Sequence, residues 1–218
     1  MQQLKKHQGV IFDCDGTLVL TEHIYTRAYQ IILAEHGLNL EEKEIKERFS
    51  GQSLFTSIKK IEEEFNIIDS KFIEKFDKIC SKEKKKGLIA TQGTIQATQQ
   101  LIDDNIKFAI ASNAPQDVIK ENLVILPHIQ LPQELIISAC DYDKFKPDPF
   151  IFNYAISNLN INAKDLLIIE DSASGVKAAL KTLSTPIILL NRNNDHMKDA
   201  FPGVKKIEDM QEIIKLIA

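Results

Sequence analysis

Val10-Ile11-Phe12-Asp13-Cys14-Asp15-Gly16-Thr17 is the stretch that decides the fold. Its apolar beginning reads as a buried strand, and the chain then turns abruptly polar. Side chains at i and i+2 of an extended segment point the same way, so Asp13 and Asp15 converge at the strand's end. Gly16 lets the backbone turn sharply beneath them. Two carboxylates this close repel, and they coexist when a cation lies between them or one keeps a proton. The pattern calls for a hard metal ion and an anionic substrate. It is not a calcium loop, because the later acidic positions and the closing glutamate are missing.

Further short apolar runs follow at 108–112, 135–138, 166–170 and 187–190. Helical patterns separate most of them, near 94–104, 116–124, 149–159 and 174–183. Strand–helix alternation predicts an α/β fold, a parallel sheet with helices on both faces. In such sheets ligands bind beyond the carboxyl ends of the strands.

One interval breaks the alternation, because 22–86 shows no convincing strand. A helix capped by Thr21 runs to near Gly37, and others are expected over 41–49, 54–65 and 70–86. Leu54, Ile58, Ile61 and Phe65 recur at helical spacing and face a core. An all-helical insertion is therefore expected over the strand ends, hinged at 18–21 and 87–93. The run Lys82-Glu83-Lys84-Lys85-Lys86 reads as a solvated helix C-terminus, which the helix macrodipole favours.

The chain of 218 residues suits one large domain or a core with an insertion. A hydrophobic share of 44% fits a sizeable globular core and not a disordered chain. Net charge is −4 with no basic stripe, which disfavours nucleic-acid binding. Cys14, Cys80 and Cys140 have no zinc or disulfide spacing, so a reducing compartment is expected. Met1 to Gln8 is polar, without the apolar run of a signal peptide, and no stretch is long enough to span a bilayer. The expectation is a cytoplasmic protein that binds neither nucleic acid nor membrane, as a monomer or weak homodimer.

The other strand ends carry chemistry too. In Ala111-Ser112-Asn113-Ala114-Pro115, Ser112 can donate its hydroxyl to a phosphoryl oxygen, and the next helix start adds N–H groups for an anion. In Lys146-Pro147-Asp148-Pro149, Pro147 biases Lys146 toward an extended backbone. A lysine beside such a turn can neutralise a phosphate or hold an aspartate ionised, while Asp148 and Pro149 suit a helix start. Glu170 and Asp171 follow a buried run, where adjacent carboxylates cost free energy unless paired or bound. An acid pair, a hydroxyl, a lysine and a second acid pair on one sheet edge match what phosphoryl transfer needs.

These residues resemble the haloacid dehalogenase-like hydrolase superfamily. Asp13, Asp15 and Thr17 match its first motif, Ser112 its second, Lys146 with Pro147 its third, and Glu170 with Asp171 its fourth. The match spans the chain, including a helical cap inserted after the first motif. The resemblance implies a Rossmann-like core over 1–20 and 88–218 and a cap over 21–87. The Glu-Asp-Ser and Lys-Pro-Asp-Pro forms are similar to the subgroup of phosphoglycolate phosphatase, beta-phosphoglucomutase and sugar-phosphate phosphatases. It implies that Asp13 attacks phosphorus and that Asp15 protonates the leaving oxygen and later activates water. It implies Mg²⁺ held by Asp13, the Asp15 backbone carbonyl and Asp171, with Glu170 nearby. Ser112 and Lys146 would bind the phosphoryl group, with Asn113 assisting, in a small phosphorylated metabolite. A phosphosugar, phosphogluconate or phosphoglycolate is the expected substrate.

The physics agrees. A carboxylate and a phosphate repel by about 4 kcal/mol at roughly 4 Å and an effective dielectric near 20. A divalent cation and Lys146 offset that repulsion.

Two departures matter. Many relatives carry Asp-Ser-Glu or Asp-Thr-Glu after the first motif, where this chain has Leu20-Thr21-Glu22 and lacks the first acid. Near Gly51 stands Gln52-Ser53-Leu54-Phe55, without the arginine that grips a mutase's distal phosphate. A phosphosugar mutase and a non-catalytic phospho-ligand binding protein stay as alternatives. Cys14 is not a tyrosine-phosphatase nucleophile, since the arginine expected six residues on is Leu20.

Overall fold

A computed structural model describes residues 7–191 and 194–217. The reading of Met1 to Gln8 as lacking a signal peptide lies, for residues 1–6, outside those described. The sheet holds six strands: β1 (Gly9–Phe12), β2 (Lys107–Ser112), β3 (Ile136–Ser138), β4 (Leu166–Glu170), β5 (Thr185–Leu189) and β6 (Lys205–Ile207). They lie in the order β3-β2-β1-β4-β5-β6, and every neighbouring pair is parallel. β6 was not expected. It is three residues long, begins with two lysines, and pairs at the edge with Ile187 to Leu189. So short and polar a segment leaves no periodic signal.

β1 is central because it is buried on both faces, as strands of parallel sheets are. Val10 and Phe12 face one apolar cluster and Ile11 the other. Phe12 meets Phe108 of β2 edge to face, with ring centroids 5.9 Å apart. Truncating such a fully buried ring costs about 3–5 kcal/mol, so the strand that carries Asp13 and Asp15 is firmly anchored. The helices α5 (Thr94–Asp103) and α6 (Gln116–Asn122) cover the Phe12 face, and α7 (Phe150–Leu159) and α8 (Ala173–Ala179) the Ile11 face.

Four helices occupy the interval without strands: α1 (Glu22–Glu35), α2 (Glu42–Phe49), α3 (Leu54–Phe65) and α4 (Phe72–Lys84). They bury an apolar cluster of their own, in which Tyr29 stacks on Phe49 at 4.9 Å and packs on Phe76 at 5.0 Å. Ile61 of the predicted stripe is buried there, with Leu54, Ile58 and Phe65 packed against it. Ser53 caps α3 by accepting from the Thr56 amide at 3.1 Å. Asn66 ends the helix in the left-handed conformation.

The helical excursion leaves and re-enters the sheet at one place. The Leu20 amide donates to the Ile89 carbonyl at 2.8 Å and the Thr91 amide to the Leu18 carbonyl at 3.1 Å. An antiparallel bridge joins Val19 to Ala90 between them. Among the described residues no helix is long and apolar enough to cross a membrane.

Candidate functional site

The sheet order reverses at β1, and there the carboxyl ends of β1, β2 and β4 and the loop after β3 converge. That crevice is where a parallel sheet offers room for a ligand. All seven residues singled out from the sequence gather in it.

Lys146 is the hub. Its side chain is 2% exposed, and its ammonium donates to Asp13 Oδ1 at 2.5 Å, Glu170 Oε1 at 2.6 Å and the Ala111 carbonyl at 2.9 Å. All three donors are used, and the Phe152 ring lies 4.8 Å below the charge. Asn113 Oδ1 accepts from the Lys146 amide at 2.9 Å, which fixes the lysine's backbone. The Lys146–Pro147 peptide is cis. Asp148 accepts from the Phe150 amide at 2.9 Å, and α7 begins at Phe150, one residue later than expected.

Glu170 spends both oxygens. Oε2 accepts from the amides of Asp171 and Ser172 at 3.1 Å and from Ser172 Oγ at 2.9 Å. Glu170 is fully buried, and a methyl group added at Gly175 would lie 1.8 Å from its Oε1. Gly175→Ala is expected to destabilise the fold by about 1–3 kcal/mol through overpacking, read as a lower urea midpoint. An unchanged midpoint would mean that α8 shifts freely and that the glycine is incidental.

Asp13, Glu170 and Asp171 bring carboxylate oxygens within 4.8 Å of one another. Burial pushes the Asp13 carboxyl up to about 8; Lys146 pulls the other way, and Glu170 and Asp15 add to the rise. Burial likewise pushes Asp171 well above the usual carboxylate range, with Glu22, Asp13 and Glu170 adding to it. One lysine therefore under-compensates the charge. The donors are all hard oxygens, with Thr17 Oγ1 and Asn191 Nδ2 each 3.4 Å from Asp171 and the Glu22 carboxylate beside it. This donor set fits a divalent, oxygen-loving cation.

Asp15 is held differently. Its Oδ1 accepts from Tyr25 Oη at 2.7 Å, Thr21 Oγ1 at 2.8 Å and Asn122 Nδ2 at 2.9 Å. Ser112 Oγ donates to Oδ2 at 3.3 Å. Thr21 thus sits at the predicted N-cap of α1 but makes no side-chain cap, because its hydroxyl goes to Asp15.

Tyr25, Asn122 and Glu22 were missed. Tyr25 follows Thr21 by four residues, one helical turn, so a hydroxyl pair at that spacing was the available signal. Asn122 sits at the end of α6 and carried none. Glu22 was seen only as the remnant of a hinge acid. Its carboxylate reaches the cluster, since a Cβ at Gly16 would lie 2.1 Å from both Glu22 Oε1 and Asp171 Oδ2. Gly16 also has φ +83°, so it is required twice over. The lysine run departs from expectation at Lys84, which is buried and pairs with Glu121 of α6 at 2.7 Å.

A cavity of about 400 Å³ opens between the strand ends and the helical insertion. Phe49, Phe55 and Phe76 line it from the helices, and Asp13, Lys146 and Ser112 from the sheet. The two walls touch: Ser174 Oγ donates to the Gly51 carbonyl, and Phe55 lies 6.4 Å from Phe145. Cys14, Cys80 and Cys140 are free thiols. Burial, Asp15 and Asp13 hold the Cys14 thiol well above its ordinary value, as suits an inert buried cysteine.

The family model for haloacid dehalogenase-like hydrolases matches residues 10–188. The chain belongs to that family. It is a phosphoric monoester hydrolase of the haloacid dehalogenase-like type. The phosphorylated carbohydrates phosphatase of Thermotoga maritima is 30% identical, over 79% of this chain and 80% of that protein. The 6-phosphogluconate phosphatase of Escherichia coli is 25% identical, over 81% of this chain and 80% of its own length. A HAD family hydrolase from Deinococcus radiodurans, crystallised with phosphate and sodium, superposes with a TM-score of 0.75 at 25% identity. That match covers 96% of this chain and 94% of that one.

Proposed function

We propose that this haloacid dehalogenase-like hydrolase is a Mg²⁺-dependent phosphatase of small phosphorylated metabolites that works through an aspartyl-phosphate. Phosphosugars, phosphogluconate and phosphoglycolate form the candidate class. The single observation that carries the reading is Lys146, buried between Asp13 and Glu170 at 2.5 and 2.6 Å.

Asp13 is the nucleophile in this reading. Its carboxylate oxygen forms a bond to phosphorus as the ester oxygen leaves, and that oxygen takes a proton from Asp15. Asp15 then removes a proton from water, which attacks phosphorus and frees Asp13 and inorganic phosphate. Splitting the reaction this way replaces one difficult displacement by two easier ones. Thr21, Tyr25 and Asn122 fix the rotamer of Asp15, so that one group serves both halves. Lys146, its three donors engaged, meets the phosphoryl oxygens as a positive charge, Ser112 turns its hydroxyl toward them, and Asn113 positions Lys146 through its amide. Glu170 orients Lys146 and, with both oxygens engaged, supports the site from behind. Asp13, the Asp15 carbonyl and Asp171 would hold Mg²⁺, which supplies positive charge beside the transferring group. We assign residues 21–87 as a cap that closes over a core of 1–20 and 88–218, on the strength of the separate apolar cluster of α1 to α4.

The test is inorganic phosphate release from a panel of phosphosugars, phosphogluconate, phosphoglycolate and nucleoside monophosphates. Turnover is expected with magnesium and is expected to vanish with a chelator, returning on magnesium addition. Undiminished release under chelation would overturn the metal assignment. Isomerised product without phosphate release would make the protein a mutase instead.

A further inference from the structure

The cavity has a second polar feature that the phosphoryl chemistry does not use. One face of α4 lines it with Ile73, Phe76, Asp77, Cys80, Ser81 and Lys84, spaced at helical intervals. Opposite stand Asp117 and Glu121, one turn apart on α6. Lys84 and Glu121 join the two walls at 2.7 Å.

The Lys84 side chain is 5% exposed. An ammonium has three donors, and among the described residues Glu121 is the only hydrogen-bond partner of this one. Leaving buried donors idle is costly, so the site favours a ligand that brings acceptor oxygens. Glu121 Oε2 accepts from Lys84, which leaves its other oxygen for a hydroxyl proton. A donor and an acceptor side by side match a pair of neighbouring hydroxyls. Glu121 precedes Asn122, and Asn122 touches Asp15. Lys84 and Glu121 also line the same cavity as Asp15, the acid assigned to the leaving group.

Charge narrows the choice. Asp77, Asp117 and Glu121 surround the single cation Lys84. The other cavity lysine outside the reactive cluster, Lys46, has its ammonium 2.6 Å from Glu42. A tail bearing a carboxylate or a second phosphate would meet net negative charge, whereas hydroxyls meet none of that penalty.

Building on the phosphatase reading, we propose that Lys84 and Glu121 form the leaving-group subsite and hydrogen-bond the hydroxyls of an uncharged tail. The substrate is then a phosphorylated polyol or neutral sugar, and aldonate phosphates and bisphosphates are rejected. In this respect the chain parts from its 6-phosphogluconate phosphatase relative.

The test uses the magnesium-loaded enzyme and three substrates: glucitol 6-phosphate, 6-phosphogluconate and p-nitrophenyl phosphate. The first two differ only at the tail, and the third has no hydroxylated tail. Glucitol 6-phosphate is expected to exceed 6-phosphogluconate in kcat/KM by about tenfold, the scale of one unmatched polar contact. Lys84→Met and Glu121→Gln are each expected to lower the glucitol 6-phosphate to p-nitrophenyl phosphate ratio by about tenfold, chiefly through KM. Should the lysine variant fail to fold, Glu121→Gln at its exposed position carries the same test. Equal or better use of 6-phosphogluconate overturns the proposal. So does a loss shared equally by all three substrates, which would mark the pair as a mere clasp between α4 and α6. No turnover of any of the three would fell the phosphatase reading first, and this inference with it.

Discussion

Asp13→Asn is expected to abolish phosphate release, by about 10⁴- to 10⁶-fold, the scale seen when a covalent nucleophile is removed. The amide keeps the shape of the carboxylate but cannot form the acyl-phosphate bond. It also removes one negative charge from a buried group of three carboxylates. Circular dichroism and the thermal midpoint should therefore show a folded protein. A variant with near-wild-type turnover would leave the covalent route without its attacking atom, and Asp15 alone would have to be reconsidered as a base for direct water attack.

Lys146→Met is expected to be damaging in two ways at once. Asp13 and Glu170 lose a partner at 2.5 and 2.6 Å where all three side chains are buried. Removing one member of a buried ion pair typically costs about 3–5 kcal/mol, because the charges left behind are uncompensated. Turnover should fall by at least about 10²-fold, on the scale of losing one preorganised donor to the developing charge. Pairing the change with Glu170→Gln separates the effects. The double variant should recover part of the urea midpoint, since one orphaned charge is gone, but none of the activity. Recovery of both would show that Lys146 acts only as a structural counter-ion.

Most of this site was legible because it sits where strands end. Asp13, Ser112 and Glu170 each close or follow a buried apolar run, so their side chains had to emerge at one edge of a parallel sheet. Lys146 was legible from the proline after it. The strand β6 and the residues Tyr25 and Asn122 were not, for physical reasons. An edge strand of three residues buries one side chain, Ile207, and leaves no alternation to detect. Tyr25 and Asn122 owe their place at Asp15 to the way α1 and α6 pack, and tertiary contacts of that kind leave no trace in spacing. Lys84 was hidden in a run of like residues. Composition made it one solvated cation among several, and only its pairing across to Glu121 of α6 singled it out.

The bridge between Val19 and Ala90 has a bearing on ancestry. Because departure and return share one rung, the length and shape of what lies between them place no demand on the order of the strands. A lineage can remodel that stretch beyond Tyr25, and with it the Lys84 side of the leaving-group pocket, while keeping Thr21 and Tyr25 on Asp15 and the residues at the strand ends. Diversification of substrate then draws on one continuous piece of gene together with the facing turn of α6.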